Sequence, residues 1–476
     1  MSLPVISVEH MRAWERATWA AGPTEAAVIA RVGEVVAKRA LELTKPGDSL
    51  LLLAGQGHNG DDVRAMVPHL LGRAVKLIEV VDPATALPEI IRELKTRPSL
   101  IVDGLFGIGL NRPLTGAWVE LISALNLSGA RVLAVDVPSG LDADTGEPQP
   151  LAVQAAFTLT IGAPKRGLLV ERAAVHVGRL EVADDVGLIH CPAQSDVQWT
   201  TAHDFADCPP PRPAAGHKGT FGHAAIIAGS LGYHGAAVLT ARGAQRARPG
   251  LITLFTTPEV YAPVASQLQA VMVNPWAENA RARCPEKFTA FLFGPGLAAE
   301  NVPRSMREWF RHLWLNDPRP IVADASALDW LPPGQTPSDA CRVITPHPGE
   351  AARLLGMINE EVQRDRLAVL RALSEKFSGC CVVLKGRHSL IGARDGDVFV
   401  NSTGNSGLAQ GGSGDLLAGF ITGGLAQPNL EKNPVRVLRH AVFEHGAAAD
   451  RLSTRRENWI VEELADELGS KEAQEQ

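Results

Sequence analysis

Asp415 ends the run Gly404-Asn405-Ser406-Gly407-Leu408-Ala409-Gln410-Gly411-Gly412-Ser413-Gly414-Asp415 and stands just before an apolar, helix-like stretch. Glycines let backbone N–H groups converge on an anion without interference from Cβ, and the start of a helix adds favourable partial charge. A carboxylate beside such a turn is placed to take a proton from an attacking hydroxyl, which transfer of a phosphoryl group to an alcohol requires. Read alone, the segment also fits a glycine-rich connector with a capping aspartate.

Other segments gather around the same chemistry. Gly229-Ser230-Leu231-Gly232-Tyr233-His234-Gly235-Ala236-Ala237, Gly294-Pro295-Gly296-Leu297 and Thr345-Pro346-His347-Pro348-Gly349-Glu350 each follow an apolar run. Small residues there let a flat ligand approach the backbone, and His347 is either a ligand contact or a satisfied turn histidine. Lys385-Gly386-Arg387-His388-Ser389 puts cationic side chains at a strand end, suited to polyphosphate or to a solvated loop.

Nearer the N-terminus, Gly55-Gln56-Gly57-His58-Asn59-Gly60-Asp61-Asp62 is a flexible turn able to wrap a phosphate. Two further polar segments begin at Asp103 and Asp136. Asn59, Asp103 and Ser139 carry the oxygen ligands that a hard cation prefers, with strand-end capping as the plainer reading, and no His/Cys set supports zinc. Asp136 follows an apolar run and is positioned to exchange a proton with a ligand.

These residues need a scaffold that presents loops along one edge. The apolar runs 49–53, 75–81, 100–102 and 131–135 alternate with helix-length segments, and the same grammar resumes at 224–227, 251–255, 290–293, 321–322, 342–344 and 380–384. Buried parallel strands read as continuous apolar runs, and ligands collect at their carboxyl ends. Pro209-Pro210-Pro211 and Pro213 interrupt any element. The predicted organisation is α/β, two tandem α/β sandwich domains at 1–205 and 217–476 with a Pro-rich linker at 206–216.

Composition bounds the partners. The 476 residues are too many for one ordinary core, and 45% hydrophobic with 21% charged residues describes a globular chain. The 46 Lys and Arg against 52 Asp and Glu leave a net charge of -6 with no basic footprint for nucleic acid, and no apolar run would span a bilayer. The six cysteines form no C-x-x-C pair and read as reduced packing residues. No secretory signal opens the chain, so the expected compartment is the cytoplasm.

The first half resembles the NAD(P)H-hydrate epimerase family, a Rossmann-like domain, on Met11-Arg12, the three strand-end segments, 161–168 and 178–184. That resemblance implies that His58, Asn59, Gly60, Asp61 and Asp62, with Gly107, Ile108, Gly109, Leu110, Asn111, Arg112 and Pro113, hold the hydrated nucleotide. It further implies that Asn59, Asp103 and Ser139 hold K+ and that Asp136 contacts the substrate at its reacting ring. Where the family reads Asn-Asn-Gly-Gly-Asp-Gly, this chain reads His58-Asn59-Gly60-Asp61-Asp62-Val63. Asp61 is therefore expected to repel phosphate and Val63 to resist glycine's conformations.

The second half is similar to the ribokinase-like NAD(P)H-hydrate dehydratase family over about 218–427. By that likeness Ala236, Gly296, His347 and Asp415 contact the hydrate, and Lys385, Gly386, Arg387, His388, Ser389 and Gly414 contact the adenine nucleotide. The family's usual second acidic residue in the stretch 324–328 is Ser326 here. The implied chemistry is repair. Hydroxide is a poor leaving group, Asp415 accepts the proton of the ring hydroxyl, and Mg2+ and the glycine turn steady the phosphoryl group from ADP, or ATP. The ring nitrogen then expels phosphate. The first half interconverts the two hands of the hydrate, only the S form of which the second half accepts. The competing expectation is a small-molecule kinase, acting on a vitamin alcohol, fused to an inactive epimerase-like module. A homo-oligomer is the expected assembly.

Overall fold

The computed structural model describes residues 2–110, 112–277, 287–337 and 340–470. Asn111, named above, and Cys284, one of the six cysteines, lie outside the described residues. The chain forms two compact units, divided between Trp199 and Thr200.

In the first unit, β1 (Leu3–Pro4) pairs antiparallel with β8 (Val197–Trp199), and the remaining strands make one parallel sheet. These are β2 (Ser49–Ala54), β3 (Ala74–Glu79), β4 (Leu100–Gly104), β5 (Val132–Val135), β6 (Phe157–Ile161) and β7 (Arg179–Ala183), in the order β3-β2-β4-β5-β6-β7. Successive residues of a strand face opposite ways, so Leu50 and Leu52 pack with Val32 and Val36 of the helix Glu25–Glu42. Leu51 and Leu53 pack with Ile90, Leu121 and Leu125 of the helices Pro83–Leu94 and Ala117–Leu127. Helices on both faces make the sandwich. The chain runs from β2 outward to β3 and returns to β4 on the other side, which opens a crevice at the carboxyl ends of β2 and β4.

In the second unit the strands are β9 (His223–Ile227), β10 (Leu251–Thr256), β11 (Met272–Pro275), β12 (Ala290–Phe293), β13 (Ile321–Ala323), β14 (Arg342–Ile344), β15 (Cys381–Leu384), β16 (Leu390–Gly392) and β17 (Val398–Val400). Their order is β17-β16-β15-β14-β13-β12-β9-β10-β11, parallel from β11 to β15 and antiparallel at β16 and β17. Here the order reverses between β9 and β12. The helices His234–Ala247 and Ser413–Leu425 cross at glycines: a side chain on Gly243 would strike the Leu416 carbonyl, and one on Gly419 the Thr240 carbonyl. Their backbones therefore touch directly, which only glycine permits.

The unit boundary differs from the expected one. Residues 200–205 belong to the second unit because Thr201 and Asp204 form a capping box, Asp204 Oδ2 accepts from Arg439 Nη2 at 2.7 Å, and Phe205 packs on Phe443. The Pro-rich stretch 206–216 lies inside that unit rather than between the two. Among the described residues no helix is long and apolar enough to cross a membrane, and Cys191, Cys208, Cys341, Cys380 and Cys381 are free thiols.

Candidate active sites

The crevice of the first unit is a cavity of about 490 Å³. His58, Asn59, Asp62, Gly107, Ile108, Gly109, Leu110 and Asp136 line it, as do Arg12, Glu15, Phe106 and Trp118. Gly60, Asp61, Arg112 and Pro113 are not on its wall. Gly60 serves the backbone instead, since a Cβ there would strike the Gly55 carbonyl.

Asp136 follows β5 with φ 62, a left-handed conformation uncommon outside glycine. Its Oδ1 accepts from Lys165 Nζ at 2.6 Å, the Ile161 amide at 3.0 Å and Thr160 Oγ1 at 3.1 Å. Lys165 is wholly buried and also donates to the Ile161 carbonyl at 2.8 Å. Every one of these bonds falls on Oδ1, which leaves Oδ2 for the cavity. The buried ammonium at this distance fixes the orientation of the Asp136 carboxyl group. Asp62 lines the same cavity. Burial, followed by Asp136, Asp61 and Glu15, pushes its carboxyl up to about 8. Glu15 is raised too, chiefly by burial and then by Asp136.

Beneath the cavity floor, Asp103 and Ser139 are fully buried. Ser139 donates to Asp103 through Oγ at 2.6 Å and through its amide at 2.9 Å, and Asn59 Nδ2 donates to the carbonyls of Val135 at 2.8 Å and Phe106 at 2.9 Å. Thus the three expected cation ligands do converge around the Phe106 carbonyl. Among the described residues no cationic side chain pairs with Asp103, and burial raises its proton affinity. A buried carboxylate without counter-charge suits a bound cation.

The first-loop departures cost less than expected. Val63 lies in the helix His58–Met66, fully buried against Gly104, where no glycine conformation is needed. Asp61 pairs with Arg64 Nη1 at 2.8 Å, one turn along the same helix, so its charge is balanced outside the cavity.

In the second unit the loops after β9 and β12 are tied together: Ser230 Oγ donates to the Gly296 carbonyl at 2.6 Å and the Gly229 amide to the Pro295 carbonyl at 2.9 Å. Ala236 contacts the same point, since a Cβ on Gly296 would stand 2.8 Å from it. His347 is the N-cap of the helix Pro348–Leu355. Its Nδ1 accepts from the Gly349 amide at 3.1 Å while Glu350 accepts from the His347 amide at 2.8 Å. The cap occupies one ring nitrogen and leaves Nε2 3.6 Å from Glu350 Oε2, with the side chain 56% exposed.

The helix Ser413–Leu425 starts from Gly412 at φ 93, so its first N–H groups open toward the strand ends. Asp415, in that first turn, is half-buried among charged groups rather than hydrocarbon. Burial, then Asp324 and Glu350, push its carboxyl up to about 6, and Lys385 pulls it back. Lys385 Nζ donates to Asp324 Oδ1 at 2.9 Å, and Thr345 Oγ1 donates to the same oxygen at 2.6 Å. Behind the turn, His445 bonds to the Ser413 backbone and stays neutral, burial having lowered it to about 4.

Two expected nucleotide contacts are placed differently. His388 has φ 50, its Nδ1 lies 3.3 Å from the Asn401 carbonyl and its Nε2 is buried. Burial and the neighbouring Arg387 and Arg366 lower it to about 3, so its ring brings no charge to a polyphosphate. Lys385 is committed to Asp324, whereas Gly386, Ser389 and the Arg387 backbone remain on an outer loop that Arg366 braces from below through the Leu384, Lys385 and Arg387 carbonyls.

Sequence reasoning assigned no role to Arg12, Glu15 and Lys165 in the first unit or to Asp324, Thr345, Glu350 and His445 in the second. Lys165 carried a weak signal, a lysine enclosed by Pro164 and Gly167 straight after a strand. The others reach their sites only through long-range packing.

Residues 224–472 match the family model of NAD(P)H-hydrate dehydratase, and residues 82–167 match that of the YjeF-related protein N-terminus. The second unit resembles the crystal structure of a ribokinase-like superfamily protein from Enterococcus faecalis V583, with a TM-score of 0.52 at 24% identity over 58% of this chain and 95% of that one. Curated relatives described as bifunctional NAD(P)H-hydrate repair enzymes include one from Coxiella burnetii, 33% identical over 470 residues and covering 93% of both chains. Another, from Vibrio cholerae, is 35% identical over 422 residues, 85% of this chain and 81% of the relative. A cavity with a clamped aspartate in the first α/β unit, an aspartate behind a glycine turn in the second, and this likeness along nearly the whole chain lead to one conclusion: the chain belongs to the family of bifunctional NAD(P)H-hydrate repair enzymes, with an epimerase unit followed by a dehydratase unit.

Proposed function

We propose that the second unit removes water from the S form of the hydrate by phosphorylating its ring hydroxyl, with Asp415 as proton acceptor and ADP as donor. The carrying observation is the position of Asp415, in the first turn behind Gly412 with a carboxyl near 6, charged at neutral pH yet still basic. Asp415 takes the hydroxyl proton, the oxygen bonds to the terminal phosphoryl group of ADP, and AMP departs. The ring nitrogen's lone pair then breaks the carbon–oxygen bond, releasing phosphate and restoring the dihydronicotinamide. The turn's amides hold the phosphoryl oxygens, Ala236, Gly296 and His347 line the hydrate, and the 385–389 loop with Gly414 takes the nucleotide. Mg2+, brought with the nucleotide, would supply charge neutralisation for the phosphoryl transfer.

In the first unit, Asp136 Oδ2 exchanges a proton with the ring hydroxyl while the ring opens and recloses, which inverts the carbon. Asn59, Asp103 and Ser139 would hold K+, whose fixed charge anchors the loops that bind phosphate. Arg12 at the cavity wall is the cation for the substrate's phosphates. Such a chain works in the cytoplasm as a homo-oligomer. The deciding experiment incubates each pure hand of the hydrate with the enzyme, Mg2+ and ADP or ATP, following the restored ring's absorbance. S-hydrate consumed with ADP supports the reading, and a stable phosphorylated alcohol as product overturns it in favour of a kinase. R-hydrate consumed no faster than it racemises unaided overturns the epimerase half.

A further inference from the structure

One guanidinium gathers four carbonyls of the segment that leads from β15 to β16. Arg366, the first residue of the helix Arg366–Lys376, donates through Nη2 to the carbonyls of Leu384 at 3.1 Å and Lys385 at 3.3 Å, and through Nη1 to the carbonyl of Arg387 and to that of His388 at 3.4 Å. The chain bends around it at two residues of positive φ, Gly386 at 139 and His388 at 50. Glycine suits the first because a Cβ on Gly386 would stand 3.1 Å from Arg366 Nη2.

In a trans peptide each N–H points away from the carbonyl of the residue before it. Carbonyls of Lys385, Arg387 and His388 turned toward the guanidinium therefore turn the next amides, those of Gly386, His388 and Ser389, to the other side of the loop. The Lys385 amide is used by the Pro346 carbonyl at 2.9 Å, whereas the Gly386 amide meets no acceptor among the described residues. The loop starts against the glycine turn that precedes Asp415, since a Cβ on Gly414 would stand 3.3 Å from Lys385 Nζ. Carbonyl oxygens left facing a phosphate would repel it, and outward amides attract it. Given that the 385–389 loop takes the nucleotide, as set out above, we propose that Arg366 is a positioning residue for dehydration. It draws the loop's carbonyls inward and so presents the outward amides, that of Gly386 first among them, to a phosphate group of the donor, which Arg366 itself does not touch. A forked, planar guanidinium suits the task, because its two terminal nitrogens each hold a pair of carbonyls, where a lysine would bring one compact charge.

The test uses the full-length enzyme with S-hydrate, ADP and Mg2+. Arg366→Met is expected to raise the KM for ADP about tenfold, with kcat within about threefold and the KM for hydrate unmoved. Arg366→Lys keeps the charge without the fork and is expected to raise the KM for ADP at least about threefold. Arg371→Met is the control for plain loss of structure: on the same helix, Arg371 holds the Ala393 and Gly396 carbonyls at 2.5 and 2.7 Å, past the far end of β16, and its loss is expected to leave the KM for ADP alone. A KM for ADP that does not move in Arg366→Met, that moves as much in Arg371→Met, or that is wild-type in Arg366→Lys overturns the inference. Should Arg366→Met not fold, Arg366→Lys decides by itself. Hydrogen exchange separates this from failure of the underlying reading. ADP with Mg2+ is expected to slow exchange at 386–389 in the wild type and to slow it less in the Arg366 variants. No slowing in the wild type overturns the loop as a nucleotide subsite, and equal slowing in all of them overturns the role of Arg366 alone.

Discussion

Asp62→Asn is expected to make the first unit more stable and its epimerase slower. The Asp62 carboxyl is 5% exposed, accepts no hydrogen bond among the described residues, and is pushed from 3.8 to about 8 by burial and by Asp136, Asp61 and Glu15. The folded state therefore binds a proton that the unfolded chain releases above about pH 4, so stability contributed by this group is present at low pH and is lost as pH rises toward 8. At 1.36 kcal/mol per unit the ceiling is about 6 kcal/mol, and water reaching the carboxyl through an open cavity reduces it to roughly 1–3 kcal/mol. Asparagine has the same shape and no charge at any pH, so it removes the penalty. Because two units need not unfold together, the measurement is hydrogen exchange at β2 and β4 amides, which report the first unit alone. Protection should rise by that amount near pH 8 and be unchanged near pH 4. A gain that is the same at both values, or a loss near pH 8, would refute the reasoning.

Other expectations follow from the two crevices. Asp415→Ala should lower dehydration by at least about 10³-fold with epimerisation intact, since the sites lie in separate units; loss of both in coupled and uncoupled assays would contradict this. Asp136→Ala should do the reverse, read from the decay of optical purity in one hand of the hydrate. Lys165→Met leaves Asp136 buried without its ammonium and should destabilise the first unit by about 3–5 kcal/mol in urea. An unchanged midpoint would show that the pair does not hold β5 to the following loop. Arg12→Ala should raise the KM for hydrate in epimerisation with little change in kcat, and a pure kcat defect would remove Arg12 from phosphate binding.

Much of the fold was readable because parallel strands buried on both faces are unbroken apolar runs. The segments at 49–53, 224–227 and 290–293 became β2, β9 and β12 with bounds shifted by a residue or less at each end. The loops that follow them were readable for the same reason, since a turn between such a strand and a helix needs glycine. Two classes of feature escaped. Short antiparallel strands such as β16 and β17, three residues each, carry too little pattern to separate from loop. Charged partners such as Lys165 and Asp324 look ordinary in sequence because the carboxylate or ammonium they serve is 29 and 61 residues away. Proline spacing misled in its own way: it marks a stretch that is not helix or central strand, but says nothing about which unit that stretch joins. Likewise the carboxylate at Asp61 looked adverse until its helix turned it toward Arg64.

The direct backbone contact at Gly243 and Gly419 joins the helix that carries Ala236 to the helix that carries Asp415. The segments that carry Ala236 and Asp415 are consequently held to each other by backbone contact, with no side chain between them to take up a shift. A methyl group added at either glycine would push the two helices apart within about one turn of Asp415, so drift at these quiet positions would displace that carboxylate without touching it.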